Sequence, residues 1–124
     1  MLKYQNTSQF DKDFKKLLKK FRTLDVDFEN LKKYSIELYY LNNIDNNSIF
    51  LIPDFCSEKI QICKIKKIAC KSLKGRGSQS GLRIIYAYFI KTNTIEFIEI
   101  YFKADQENED REKIKEFLKI QNKI

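Results

Sequence analysis

Histidine is absent from the 124-residue chain, proline occurs once and glycine three times. So little proline and glycine excludes a collagen-like or low-complexity disordered chain. The cysteines, Cys56, Cys63 and Cys70, are odd in number and form no Cys-x-x-Cys pair. A disulfide framework is therefore not expected, and a zinc site would lack its fourth ligand. The expectation is three free thiols acting as small apolar residues, with no metal and no cofactor. Long apolar runs are missing too. The longest, Ile49 to Pro53, is far too short to cross a bilayer. Met1-Leu2-Lys3-Tyr4-Gln5-Asn6 lacks the apolar stretch of a secretion signal. A soluble, cytoplasmic protein with no membrane partner is expected.

What is present is enough for one domain, residues 1–124, with a hydrophobic fraction of 43% to supply a modest core. The formal charge is +7, and it is unevenly spread. Residues 1–60 carry ten basic and nine acidic side chains, and residues 104–124 carry five and six. Between them, residues 61–103 hold Lys64, Lys66, Lys67, Lys71, Lys74, Arg76, Arg83, Lys91 and Lys103 against only Glu96 and Glu99. General lysine richness explains many lysines but not the loss of acids from one stretch. A field of this kind attracts RNA, DNA or an acidic protein.

Hydrophobic spacing gives the elements. Leu2 to Gln5 reads as a short first strand. Ser8 with Asp11 three residues later resembles an N-cap signal, and Phe10, Phe14, Leu17, Leu18 and Phe21 recur at helical spacing. A helix is expected from about Ser8 to Arg22. A second is expected from about Asp25 to Leu41, with a stripe of Phe28, Leu31, Tyr34 or Ser35, Leu38 and Leu41. The short link makes the two a hairpin. Asn42 to Ser48 reads as a loop and Pro53-Asp54 as a turn. Ile60 to Cys70 alternates as a strand whose phase slips once, suggesting a bulge. Lys71 to Gly81 is a loop. Leu82 to Lys91 and Ile95 to Phe102 form a β-hairpin, and a last helix runs from about Asn108 to Gln121. The order is β-α-α-β-β-β-α.

Pairing the hairpin about its centre, between Thr92 and Asn93, sets Arg83 opposite Phe102. Lys71, Lys74, Arg76, Arg83 and Lys103 then belong to one end of one sheet. Like charges so placed repel, and phosphate is the obvious anion to relieve them. A solvated flexible loop bearing lysines is the plainer alternative. Strict alternation puts Tyr101 and Lys103 on the opposite face from Arg83 unless the strand bulges or has ended. Tyr86, Tyr88 and Tyr101 then read as core residues with satisfied hydroxyls.

The stretch Lys71-Ser-Leu-Lys-Gly-Arg-Gly-Ser-Gln-Ser-Gly-Leu-Arg-Ile-Ile-Tyr-Ala-Tyr88 resembles the RelE/ParE superfamily of type II toxin–antitoxin toxins. Basic residues alternate, and Ser-Gly-x-Arg-Ile-Ile-Tyr enters a strand. Ile95 to Lys103 is similar to the next family strand, Phe10 to Lys20 to the first helix, and Asp105 to Arg111 to the last helix start. The resemblance covers the chain except about Asn42 to Glu58. It implies an α+β fold, an antiparallel sheet packed on an N-terminal helical hairpin with a C-terminal helix. It also implies an endoribonuclease that cleaves mRNA, commonly at the ribosome, and a cognate antitoxin as partner. Residue by residue, the family's catalytic positions fall on Lys74, Arg76 and Arg83. Lys71, Lys66, Ser78, Ser80 and Lys103 are the expected RNA-binding residues, and Tyr101 is a further catalytic candidate. Arg76 stands where RelE itself usually has lysine, and Ala104 where it has a further arginine. The lack of histidine excludes the histidine-based variants of the superfamily. Two other readings stay open: a ParE-like gyrase inhibitor without nuclease chemistry, and a non-catalytic RNA-binding member of the fold.

Overall fold

The computed structural model describes residues 1–73 and 80–122. Its centre is a five-stranded sheet made of β1 (Lys3–Asn6), β2 (Ile49–Leu51), β3 (Ile60–Ile65), β4 (Leu82–Phe89) and β5 (Thr94–Phe102). The spatial order is β1-β5-β4-β3-β2. The sheet is mixed, not wholly antiparallel as expected, because β1 runs parallel to β5 while every other pair is antiparallel. A parallel neighbour needs a long crossover, and the helices between β1 and β2 supply chain for it.

Helix α1 (Ser8–Lys20) starts at Ser8 as expected, but its cap lies one residue before the expected one. Thr7, not Ser8, is the N-cap, its hydroxyl accepting from the Phe10 N–H at 3.1 Å. Such a cap satisfies one of the orphan donors of the first turn. Phe21 ends the helix, so Arg22 lies beyond it. Helix α2 (Leu24–Leu31) continues through a π-helical turn (Lys32–Ile36) into α3 (Glu37–Leu41). The π turn delays the apolar stripe. After Leu31 the next buried residue is Ile36, while Tyr34 and Leu41 stay exposed.

Strand β2 was not expected at all. Its Ile-Phe-Leu triplet is short, and it pairs on β3 from the edge of the sheet. Strand β3 ends at Ile65, and Lys67 takes a φ of +56°. The phase slip between Ile62 and Ile65 is not a bulge: the register runs unbroken through β3, and Ile62 and Ile65 are buried on opposite faces of the sheet. The real bulge lies in the hairpin. Tyr86 pairs with Phe97, but Ile85 pairs with Glu99, so Ile98 is the extra residue.

Two cores flank the sheet. On one face Phe10, Leu24, Phe28, Leu31 and Ile36 from the helical hairpin pack on Ile84, Tyr86, Phe97 and Ile100. On the other, Ile114 and Phe117 of α4 (Arg111–Asn122) pack on Ile62, Ile85, Ala87 and Ile98. The architecture is α+β, with helices on both sides of the sheet. Among the described residues no helix is long and apolar enough to cross a membrane.

Candidate nucleic-acid interface

Paired residues of an antiparallel ladder share a face, so the register states which side chains meet. One row across the sheet reads Phe50, Lys64, Ile85, Glu99. All four lie on the α4 side, since Ile85 packs in the α4 core. The next row toward the end of the sheet holds Arg83 directly opposite Tyr101. The hairpin centres between Lys91 and Thr92, one residue before the expected centre, and the bulge at Ile98 then moves the partner of Arg83 from Ile100 to Tyr101, in place of the expected Phe102. The two share a face at a Cβ separation of roughly 5 Å. Lys66 follows Lys64 by two residues, and its ammonium lies 5.1 Å from the centre of the Phe50 ring. At the end of the strand pair, the Lys103 N–H donates to Gly81 O at 2.8 Å. Gly81 has a φ of +87°, and a Cβ there would meet the Phe102 ring at 3.2 Å. Glycine is what lets the chain turn into β4 and deliver Arg83.

The charges on this face are only partly neutralised. Lys64 Nζ bonds Glu109 Oε1 at 2.8 Å, and both side chains are 14% exposed. Burial, the largest single effect, pulls the Lys64 pKa down, but Glu109 and Tyr101 together outweigh it and hold the ammonium above its ordinary value. Burial raises Glu109 in turn, and Lys64 outweighs that to leave the carboxyl below its ordinary value. The pair is therefore ionised at neutral pH. The Lys64 ammonium lies over the Tyr101 ring, 5.8 Å from its centre, not in hydrogen-bond geometry with the hydroxyl.

Tyr101 is 5% exposed, and its hydroxyl has no hydrogen-bond partner among the described residues. Burial pushes its pKa up, more than nearby Lys64 pulls it down. The phenol is thus a neutral donor at pH 7, not a base. Arg83 is half-buried and spends one N–H on Leu82 O, at 3.0 Å. Among the described residues the rest of its five-donor fork has no partner and can meet an anion.

Glu99 is 1% exposed and belongs to the support of this face. One oxygen accepts from the Asp110 N–H at 2.9 Å, and the other accepts from Gln106 at 3.0 Å. Lys113 lies 3.5 Å from the same carboxylate and 3.4 Å from Asp13 of α1. The carboxylate thereby fastens the start of α4 to β5, which in turn holds Glu109 against Lys64.

Of the residues expected from sequence, Arg83, Lys66, Lys103 and Tyr101 come together at one end of the sheet. Lys74, Arg76 and Ser78 lie outside the described residues. Ser80 is fully buried, its hydroxyl donating to Ile68 O and accepting from the Leu82 N–H, so it shapes the entry to β4 and does not face a ligand. Lys71 sits against α2, its backbone N–H bonded to the Asp27 carboxylate at 3.1 Å. It borders a separate cavity of about 200 Å³ with Asn30, Leu31 and Tyr34. Lys64, Glu109 and Phe50 were missed as site residues. The signal for Lys64 was its parity with Lys66 on one strand. Glu109 had none beyond the acidic run before α4.

No protein family, curated protein or solved structure matches the chain. The arrangement itself is the guide. Arg83, Lys66 and the exposed Phe50 ring lie on this face of the sheet above the buried Tyr101, while larger grooves, such as that of about 580 Å³ between α1 and α2, lie elsewhere. A basic sheet face with an exposed ring suits a single-stranded polyanion better than a small molecule. Among the described residues no group of three or more acidic or cysteine side chains is placed to hold a metal ion.

Proposed function

We propose that the chain is a RelE/ParE-like toxin, an endoribonuclease that cleaves mRNA through the substrate's own 2′-hydroxyl. The observation that carries this reading is the cross-strand pair of Arg83 and Tyr101, with Lys64 on the same face, Lys66 over the Phe50 ring, and Lys103 just beyond the end of β5. The sequence motif from Lys71 to Tyr88 supports it, as does a helical hairpin packed on a sheet.

In the proposed reaction the ribose 2′-oxygen attacks the adjacent phosphorus and the bond to the 5′-oxygen breaks. The products are a 2′,3′-cyclic phosphate and a 5′-hydroxyl. Lys74, as the neutral amine, takes the 2′-proton. Arg83 and Arg76 stabilise the charge that grows on the phosphorane oxygens, as preorganised donors do. Both stay protonated and neither acts as base. The leaving 5′-oxygen takes its proton from water, and Tyr101, whose hydroxyl is buried, packs beside Arg83 across the strands and positions it. In this reading the toxin works in the cytoplasm on mRNA at the ribosome, and a cognate antitoxin covers the basic face.

Replacing Lys74, Arg76 and Arg83 together by alanine tests the reading. Expression of the unaltered chain is expected to arrest growth and to leave new RNA ends bearing 5′-hydroxyls, and the triple variant to do neither. Unchanged arrest by the variant would overturn the site. Arrest with a DNA damage response and no RNA cleavage would assign the chain to gyrase inhibition instead. A folded, harmless chain that binds RNA with steep salt dependence would make it a non-catalytic binder.

A further inference from the structure

Strand β2 carries a ring whose exposure the fold does not explain. Phe50 is 41% exposed, although it lies on the same face as the α4 core. A cation sits on it: the Lys66 ammonium lies over the ring at 5.1 Å, while Lys64, its partner across the strands, is bonded to Glu109. The adjacent exposed residue, Leu51, pairs with Cys63 on the helical-hairpin side of the sheet. The two do not make a continuous apolar patch. An isolated ring among lysines is a poor seat for an apolar protein surface. It is a good seat for a base whose phosphates the lysines hold. Strand spacing puts β2 and β4 roughly 10 Å apart. Phe50 and Arg83 are therefore close enough to serve neighbouring parts of one short strand.

Resting on the reading above, we infer that Phe50 is a stacking platform for an unpaired base of the RNA, beside the phosphate contacts of Lys66 and Arg83. The ring reads no base edge, so the subsite accepts any base that is unstacked and rejects duplex. This extends the interface from a phosphate pocket to a track across the sheet from β2 to β5.

The chain has no tryptophan, so Phe50→Trp in the full chain installs a single reporter. Its fluorescence is expected to be quenched by a short single-stranded RNA. An oligomer with the same phosphates but abasic sugars, and duplex RNA, are expected to leave it unchanged. Phe50→Ala is expected to weaken single-strand binding roughly 5- to 150-fold, the range for one stacked base, without altering the salt slope. Quenching by the abasic oligomer, or full affinity in Phe50→Ala while Arg83→Ala is impaired, would overturn the platform and leave the nuclease reading standing. Self-association that Phe50→Ala abolishes, with RNA affinity intact, would assign the ring to a protein interface and overturn it too. If the unaltered chain binds no RNA, both readings fall together.

Discussion

The two faces of the sheet are built from the same strands and do opposite things. The face toward the helical hairpin is apolar over most of its length. Phe97 stacks with Phe10 at 5.4 Å and meets Phe28 edge-on at 4.9 Å. Tyr86 joins them, its hydroxyl bonded to Tyr40 at 2.7 Å. The face toward α4 is apolar over only half its length, from Ile60 and Phe89 to Ile62, Ile85 and Ile98. Beyond that it turns to Lys64, Glu99, Arg83 and Tyr101. The difference teaches that a single short helix fills only part of a face with apolar side chains, and that charge on the rest is kept by pairing, Lys64 with Glu109 and Glu99 with Lys113. Stability should reside on the first face and ligand affinity on the second.

Substitutions can break or sharpen that contrast. Phe97→Ala removes a fully buried ring and should cost about 3–5 kcal/mol in chemical denaturation. Arg83→Ala should leave stability within about 0.5 kcal/mol yet lower RNA cleavage at least about 100-fold, as loss of a charge-stabilising donor does. Loss of stability matching that of Phe97→Ala would erase the distinction between the faces. Glu99→Ala crosses it from the other side. It strips the Asp110 N–H and Gln106 of their acceptor and should cost about 2–4 kcal/mol by thermal unfolding.

Glu109→Gln should cost about 1–2 kcal/mol at pH 7, between the exposed and buried limits for an ion pair. The pH dependence follows from the shifts. Glu109 is held below its ordinary value of 4.5, so its contribution is full above that value and is lost as pH falls through its folded value. Lys64 is held above 10.5, so its contribution is full below that value and is lost as pH rises through its folded value. Denaturation midpoints of the variant and the unaltered chain should therefore differ most between these limits and converge outside them. A constant gap across acid pH would assign the effect to packing. Smallest of all, Lys103→Ala should leave stability unchanged and reduce the salt slope of RNA binding by about 1.

Much of the first face was legible because it follows simple periods. Phe10, Phe14 and Leu17 announce α1, and the alternation of Leu82 to Phe89 announces β4. The site was legible in its charges but not in its geometry. Counting symmetric pairs misplaced Tyr101 for two reasons: the hairpin centres between Lys91 and Thr92, one residue before the expected point, and nothing in Ile95 to Phe102 marks Ile98 as the residue that bulges. The π turn after Leu31 is equally silent, since Tyr34 and Ile36 are both apolar enough to be core. Strand β2 hides because three residues carry too little pattern. The pairing of Lys64 with Glu109 spans 45 positions. Contacts of that separation are settled by how α4 docks, which no local spacing reveals.

The extra residue in β5 has a consequence for how the strand divides its labour. Neighbouring side chains in an extended segment ordinarily look to opposite sides, so a greasy anchor and an ionic one cannot sit in successive positions and serve the same layer. Doubling the step at Ile98 lifts that restriction. Ile98 grips the middle of α4 and Glu99 clasps its first turn, one chain step apart. Every position after them inherits the half-step. Tyr101 is thereby addressed to the same layer as Arg83 by a matter of counting, independent of its own chemistry.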